Sequence, residues 1–182
     1  MRYDGKAAIE RVHALFDDLV AYCMRADAVR GATDSEIAAM AHALGCRTIP
    51  VAVCAMLHLI GRDSGPFFGG AMFGVRYLSA ADKAAALRYF ADVDRPSPEF
   101  RDPGGMLVLL HHGGYQTCVV DGADLHLADP PVWLLGEDEL QRLWARTTDW
   151  FAGECDGVKL YFDTTAEARA AGRRPSGERY FR

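Results

Sequence analysis

Two adjacent histidines and a cysteine shortly after them are the residues of this sequence best suited to chemistry. A thiol beside an imidazole can act as a nucleophile, and both residue types are zinc ligands. Adjacent residues of a strand point to opposite faces, so His111 and His112 cannot easily share one metal. Cys118 lies inside an apolar run, where cysteines are usually inert. We therefore predict no metal and no cofactor, and keep as an alternative a hydrolase that uses Cys118 with His111 or His112.

Three aspartates downstream of Cys118 could instead form a binding surface for a basic partner. Asp121, Asp124 and Asp129 are spaced loosely along turns, where we expect exposed side chains, and they lack the spacing of a calcium loop. Acidic side chains grouped in this way complement a basic surface on a partner and speed its association. With Trp133, these aspartates are the predicted partner-binding residues. The simpler interpretation, turn-forming acids and a core tryptophan, stays open.

Charge is distributed unevenly along the chain, whose net charge is −5. From Asp163 onward there are five arginines and three acids, a balance of +2, so the preceding body carries −7. This acidity does not suit a nucleic-acid binder, and the lack of a convincing catalytic set favours a binding protein. We predict a domain of residues 1–162 and a basic tail of residues 163–182, the end of which is mobile or bound to a partner.

The composition is that of an ordinary globular protein: half of the 182 residues are apolar and a quarter are charged. The five cysteines include no C-x-x-C pair, which predicts reduced, mostly buried thiols in a cytoplasmic protein. No apolar run approaches the length of a membrane-spanning helix, and the first thirty residues do not resemble a secretory signal.

The elements that would position these residues centre on a predicted β-hairpin. Residues 106–110 and 115–120 are two β-rich runs, and Gly113-Gly114 between them can adopt the positive φ angles of a tight turn. Residues 132–135 follow two prolines and predict a third strand. We therefore predict an α+β fold, in which helices pack on an antiparallel β-sheet.

Apolar residues at helical spacing predict most of the remaining elements. Thr33 to Glu36 form a capping-box pattern, Pro50 suits the first turn of a helix, and Ser79 suits a helix cap. The predicted helices cover residues 9–23, 37–44, 50–60, 79–93, 137–144, 147–151 and 166–171. Further short strands are predicted near residues 72–75 and at residues 158–162, where apolar and polar residues alternate.

Over residues 29–151 the chain resembles the SUKH superfamily, which includes a yeast regulator of cell-wall synthesis and many bacterial immunity proteins. Residues 30–33, 36–37 and 44–45 are similar to the family's G-A-[ST]…E-I…L-G helix. The most specific match is LLHHGGYQ at residues 109–116, which is similar to an F-L-x-H-x-G-Y-Q hairpin of one branch. DPPVW at residues 129–133 and TTDWF at residues 147–151 resemble two later family segments. Residues 51–54 depart from the family's tyrosine–basic segment.

The resemblance implies an α+β fold and a non-enzymatic role in protein binding. Bacterial members commonly neutralise cognate toxins, often nucleases or deaminases, by binding them directly. Other members are regulatory adaptors, so an adaptor without a toxin partner is the second hypothesis. The resemblance implies no catalytic residue.

Overall fold

In the described residues, five β-strands pair antiparallel in the order in which they occur along the chain. The computed structural model describes residues 5–113, 115–136, 138–173 and 176–182. The strands are β1 (Met72–Phe73), β2 (Leu107–His112), β3 (Gln116–Val120), β4 (Val132–Leu135) and β5 (Leu140–Trp144). The predicted hairpin, the predicted third strand and the α+β class are therefore confirmed.

The β2–β3 hairpin forms because its first strand is buried and its turn contains glycine. Leu107 and Val108 are fully buried, as an unbroken apolar run requires. His112 pairs with Gln116 at the end of the ladder, and Gly113 then turns the chain with φ of 58°. The positive φ predicted for Gly113 is confirmed. Gly114, for which the same was predicted, lies outside the described residues.

Gly113→Val is expected to lower the free energy of unfolding by about 2–3 kcal/mol, because a β-branched residue is strained at positive φ. A Cβ atom there would also lie 2.6 Å from Cε1 of Tyr115. Urea denaturation measures the loss. Gly45→Val is the matched control: Gly45 has φ of 64° but nothing within 4 Å of its Cβ position, so the same strain without the contact should cost less. Equal stability of Gly113→Val and the wild type would contradict the turn.

Five α-helices surround the sheet in the described residues: α1 (Gly5–Tyr22), α2 (Asp34–Ala43), α3 (Val51–Ile60), α4 (Ala80–Asp92) and α5 (Thr147–Ala170). The predicted capping box is present, since Thr33 N donates to Glu36 Oε2 at 2.9 Å and Glu36 N donates to Thr33 Oγ1 at 3.3 Å. Pro50 was predicted in the first turn of α3 and is instead its N-cap, one residue before the helix begins. Helix α4 contacts β2 and β4, and α5 contacts β5.

The first and last helices lie side by side and run in the same direction. Arg11 pairs with Asp149 at 2.8 Å, and the Asp18 carboxylate pairs with the Lys159 ammonium at 2.8 Å. The Tyr22 hydroxyl donates to Asp163 at 3.1 Å. Residue numbers therefore rise together along both helices, which makes α1 and α5 parallel neighbours.

Two predicted elements near the end of the chain are wrong. Residues 137–144 were predicted as a helix, but Leu140–Trp144 form β5, because Leu140 pairs with Leu135 and Arg142 pairs with Trp133. Residues 158–162 were predicted as a strand, but they lie inside α5. The buried residues Cys155 and Val158 continue a helical spacing that outweighs the short alternation. The helices predicted at residues 147–151 and 166–171 are parts of the same α5.

Residues after 162 are packed on the body where the structure describes them. The predicted boundary between residues 162 and 163 falls within α5. Phe181 is buried and contacts the rings of Tyr161 and Phe162 with centroid distances of 5.6 and 5.2 Å. Phe181 also forms an isolated antiparallel bridge with Met24. The described end of the basic segment is therefore attached to α1 and α5.

All five cysteines are free thiols, and three of them, Cys23, Cys118 and Cys155, are buried. The prediction of unpaired, mostly buried thiols is confirmed. In the part of the chain that the structure covers, no helix has both the length and the apolar character needed to cross a membrane.

Candidate functional site

Asp121, predicted to face a partner, is a buried residue that holds a loop. Its carboxylate has no exposed surface and accepts hydrogen bonds from the backbone N–H groups of Arg101 at 2.8 Å, Asp102 at 2.8 Å and Ala123 at 3.1 Å. These bonds join the segment before β2 to the turn after β3. The prediction that Asp121 is exposed is wrong, because the carboxylate satisfies backbone donors that would otherwise be buried without partners.

Asp129 is also buried, so its predicted exposure is wrong as well, and Trp133 is buried in the core, the simpler interpretation that the sequence left open. Asp129 accepts hydrogen bonds from the backbone N–H of Thr148 at 2.9 Å and from its hydroxyl at 2.7 Å, which fixes the start of α5. Trp133 packs edge-on against Phe100 with a centroid distance of 5.3 Å. Asp124 is partly buried and forms a short ion pair with Arg101. The four predicted residues therefore do not form one exposed patch.

His111 lies on one side of the β2–β3 hairpin, and His112 and Cys118 lie on the other. The buried His111 makes a 3.0 Å hydrogen bond from Nδ1 to the Thr117 hydroxyl, whereas His112 and Cys118 line a common cavity. Burial raises the pKa of the Cys118 thiol to about 12, and the nearby Glu154 carboxylate adds to this effect. The thiol is therefore protonated at neutral pH and unsuited to nucleophilic attack.

The histidines and Cys118 do not form a metal site in the described part of the chain. Across residues 5–113, 115–136, 138–173 and 176–182, no group of three or more His, Cys, Asp and Glu side chains could hold a metal ion. His111 and His112 do not converge, as the strand geometry requires.

A concave surface lies between the loop that precedes β1, helix α5 and one face of the sheet. It consists of two cavities of about 630 and 300 Å³ that share Phe68 and Glu154 as lining residues. Trp144 and Trp150 line the smaller cavity, together with His112. We call the two cavities together the aromatic groove. Its apolar walls and few convergent polar groups are typical of a binding site.

Phe68 forms the wall between the two cavities and has an unusual backbone conformation. Its φ of 65° is the single positive value among the described residues other than glycine, and such a conformation costs about 1–3 kcal/mol. Its ring stacks at 4.4 Å on Phe73 and at 5.5 Å on Trp150. This aromatic packing offsets the strain and holds the loop of residues 65–70 against α5.

Glu154 is the acid of the aromatic groove. Burial raises the pKa of its carboxyl, and the Trp150 indole N–H nearby partly opposes that rise. The indole Nε1 is buried and makes no hydrogen bond of ordinary geometry. Among the described ion pairs none involves Glu154, although α5 also carries Lys159 and Arg169, which pair with Asp18 and Glu178. The groove therefore presents a largely unshared carboxylate between aromatic rings.

Glu154→Gln is expected to stabilise the protein at neutral pH by a few degrees in Tm, because it removes a half-buried charge. A carboxyl whose pKa is raised in the fold binds its proton more tightly there, so stability falls as pH rises from the unfolded-state pKa through the folded-state pKa. The gain from Glu154→Gln should therefore be small near pH 4 and larger at pH 7.

Thermal melts at both pH values measure this gain, and Glu167→Gln on the exposed side of α5 is the control. The other titratable groups that line the aromatic groove are unchanged in both variants: His112, Cys118, Tyr161 and Tyr180. A wild-type Tm for Glu154→Gln at pH 7 would show that the carboxylate is not destabilising.

Sequence reasoning missed Glu154 and Phe68 as site residues. A signal for α5 was present, because Trp150, Glu154 and Val158 recur every four residues. The predicted strand at residues 158–162 interrupted that helical pattern. Phe68 lies in a glycine-rich loop, where no periodic spacing of apolar residues pointed to a site.

Comparison with known proteins, by family model and by sequence, gives no match. No model of a protein family matches this chain, and no curated protein is significantly similar to it in sequence.

Proposed function

We propose that this protein is a non-enzymatic immunity-type protein that neutralises a bacterial toxin domain by binding it directly. The observation that carries the proposal is the aromatic groove, a preformed binding surface whose cysteine is held protonated. A groove of this kind can hold a partner residue but offers no activated nucleophile. The resemblance to the SUKH superfamily supplies the class of partner, a nuclease or deaminase toxin.

The charge and the thiols are consistent with this proposal. The net charge of −5 favours a basic partner such as a nuclease, because opposite charges speed association. Five free thiols suit the reducing cytoplasm, where an immunity protein meets its toxin.

The direct test is co-expression with a toxin encoded beside this protein's gene, combined with an affinity pull-down and mass spectrometry from the native cell. The wild type is expected to restore growth and to recover the toxin at a stoichiometric level. Recovery of regulatory proteins alone, without a toxin, would favour the adaptor hypothesis and overturn the immunity role.

Cys118→Ser separates binding from hydrolysis. Serine is close to cysteine in size, and a protonated buried thiol contributes no reactivity, so this variant is expected to protect cells as well as the wild type. Loss of protection by a folded Cys118→Ser protein would favour the hydrolase alternative. Folding is checked by circular dichroism.

A further inference from the structure

The aromatic groove contains an acid that the described residues leave without a basic partner. Glu154 is half-buried, which costs free energy when the carboxylate is ionised. Such a cost is usually offset by an ion pair, yet no described lysine, arginine or histidine lies within ion-pairing distance. The structure therefore presents a negative charge that a cation from outside the chain could neutralise.

The walls around Glu154 suit a cation that is flat and delocalised. Trp144 and Trp150 line the smaller cavity, and Phe68 lines both cavities; Trp150 and Phe68 are buried, so Trp144 offers the more accessible ring. Aromatic faces attract cations, and a guanidinium group also stacks on them while it forms two parallel hydrogen bonds to a carboxylate. An ammonium group has no planar face and is more strongly hydrated, so it fits these walls less well.

Glycine residues keep the larger cavity open, and the one in α5 lowers the stability of that helix. Gly157 lies within α5 and lines that cavity, and its Cβ position has nothing within 4 Å. An alanine there would stabilise the helix by about 0.5–1 kcal/mol. Gly69 and Gly70, on the opposite wall, also have empty Cβ positions. The free space over Glu154 is thus bordered on both sides by residues without side chains.

We propose that the aromatic groove binds an arginine side chain of a protein partner, with the guanidinium group paired to Glu154 and stacked on the aromatic walls. The identification of that partner as a toxin rests on the proposed function, but the recognition of arginine does not. Nucleases hold phosphate with basic residues, so an arginine captured here is one that the partner can no longer use for its substrate.

The test uses Nα-acetyl-arginine amide as the probe and the three tryptophan indole N–H signals in a 1H–15N spectrum as the readout. The signals of Trp144 and Trp150 are expected to shift in a saturable way. Trp133, which packs on Phe100 outside the groove, is the internal reference and should not move. Nα-acetyl-norleucine amide, which lacks the charge, controls for apolar contact, and ethylammonium chloride controls for a small free amine.

Two pairs of variants sharpen the test. Glu154→Gln should weaken probe binding about tenfold, since a charged hydrogen-bonded pair is lost, whereas Glu167→Gln on the same helix should bind like the wild type. Gly157→Leu should block the larger cavity and keep the fold. Gly153→Leu is the matched control. Gly153 also lies in α5 with an empty Cβ position, but it lines neither cavity.

The outcomes separate this inference from the proposed function. Unshifted Trp144 and Trp150 signals, or equal binding by the wild type and Glu154→Gln, would overturn the arginine site even if a toxin is recovered by pull-down. Equal binding of ethylammonium and the arginine probe would overturn it in favour of a free amine. Glutamate-dependent arginine binding without any recovered toxin would support the site and reject the immunity role.

Discussion

Asp121→Ala is expected to lower the free energy of unfolding by about 3–5 kcal/mol, the loss typical of removing one partner from a buried charged network. The carboxylate accepts three backbone hydrogen bonds and has no exposed surface. Alanine would leave those three N–H groups buried without an acceptor. Urea denaturation of both proteins measures the loss.

The control for this change is Asp17→Ala, which removes an exposed acid of α1 and should alter stability by less than about 0.5 kcal/mol. Asp121→Asn keeps one oxygen acceptor but presents an amide to backbone donors, so its loss should approach that of alanine. A wild-type denaturation curve for Asp121→Ala would show that these hydrogen bonds do not hold the loop. Charge reversal at Asp121 or Asp129 consequently tests folding rather than partner binding.

Gly31→Ala is expected to cost about 3 kcal/mol or more through overpacking. A Cβ atom on Gly31 would lie 1.8 Å from the carbonyl oxygen of His58 and 2.7 Å from its carbon, both backbone atoms of α3. The segment cannot move aside freely, because Ala32 N donates to Leu57 O at 2.8 Å and Arg30 N donates to Asp63 O at 2.8 Å.

The comparison is with Gly153→Ala, the same substitution on an exposed turn of α5. Nothing lies within 4 Å of that Cβ position, so alanine should stabilise the helix by about 0.5–1 kcal/mol. The two variants should therefore move Tm in opposite directions. A Gly31→Ala protein as stable as the wild type would mean that the segment does not cross α3 at this distance.

Features that depend on neighbouring residues were predictable from the sequence. The capping box needs only Thr33 and Glu36, and the hairpin needs only two β-rich runs around Gly113. The pairing of β2 with β3 follows from their short connection, since antiparallel neighbours can be joined by tight turns.

Features that depend on distant residues were not predictable in this way. Asp121 is in a turn, as expected, but whether a turn acid faces solvent or accepts backbone hydrogen bonds depends on Arg101 and Asp102, which lie before β2. The aromatic groove needs Phe68 from one loop and Glu154 from the last helix. No local pattern brings these two residues together.

The pairing of α1 with α5 sets the order of events when the chain is synthesised. The hydrogen bond between Arg11 and Asp149 joins residues 138 positions apart, and the one between Tyr22 and Asp163 joins residues 141 positions apart. Contacts of such long sequence separation form late and slow down folding. The side of α1 that packs on α5 therefore stays uncovered until α5 has left the ribosome, whereas its side against α3 can be covered earlier.

This delay also determines when the aromatic groove is completed. Phe68 emerges early, but Trp150 and Glu154 belong to α5 and complete the aromatic groove only afterwards. A nascent chain that stops before α5 lacks the partner of one side of α1 and has no groove, and its exposed apolar surface makes it a target for chaperones. The aromatic groove is thus completed in one step, once α5 has been translated.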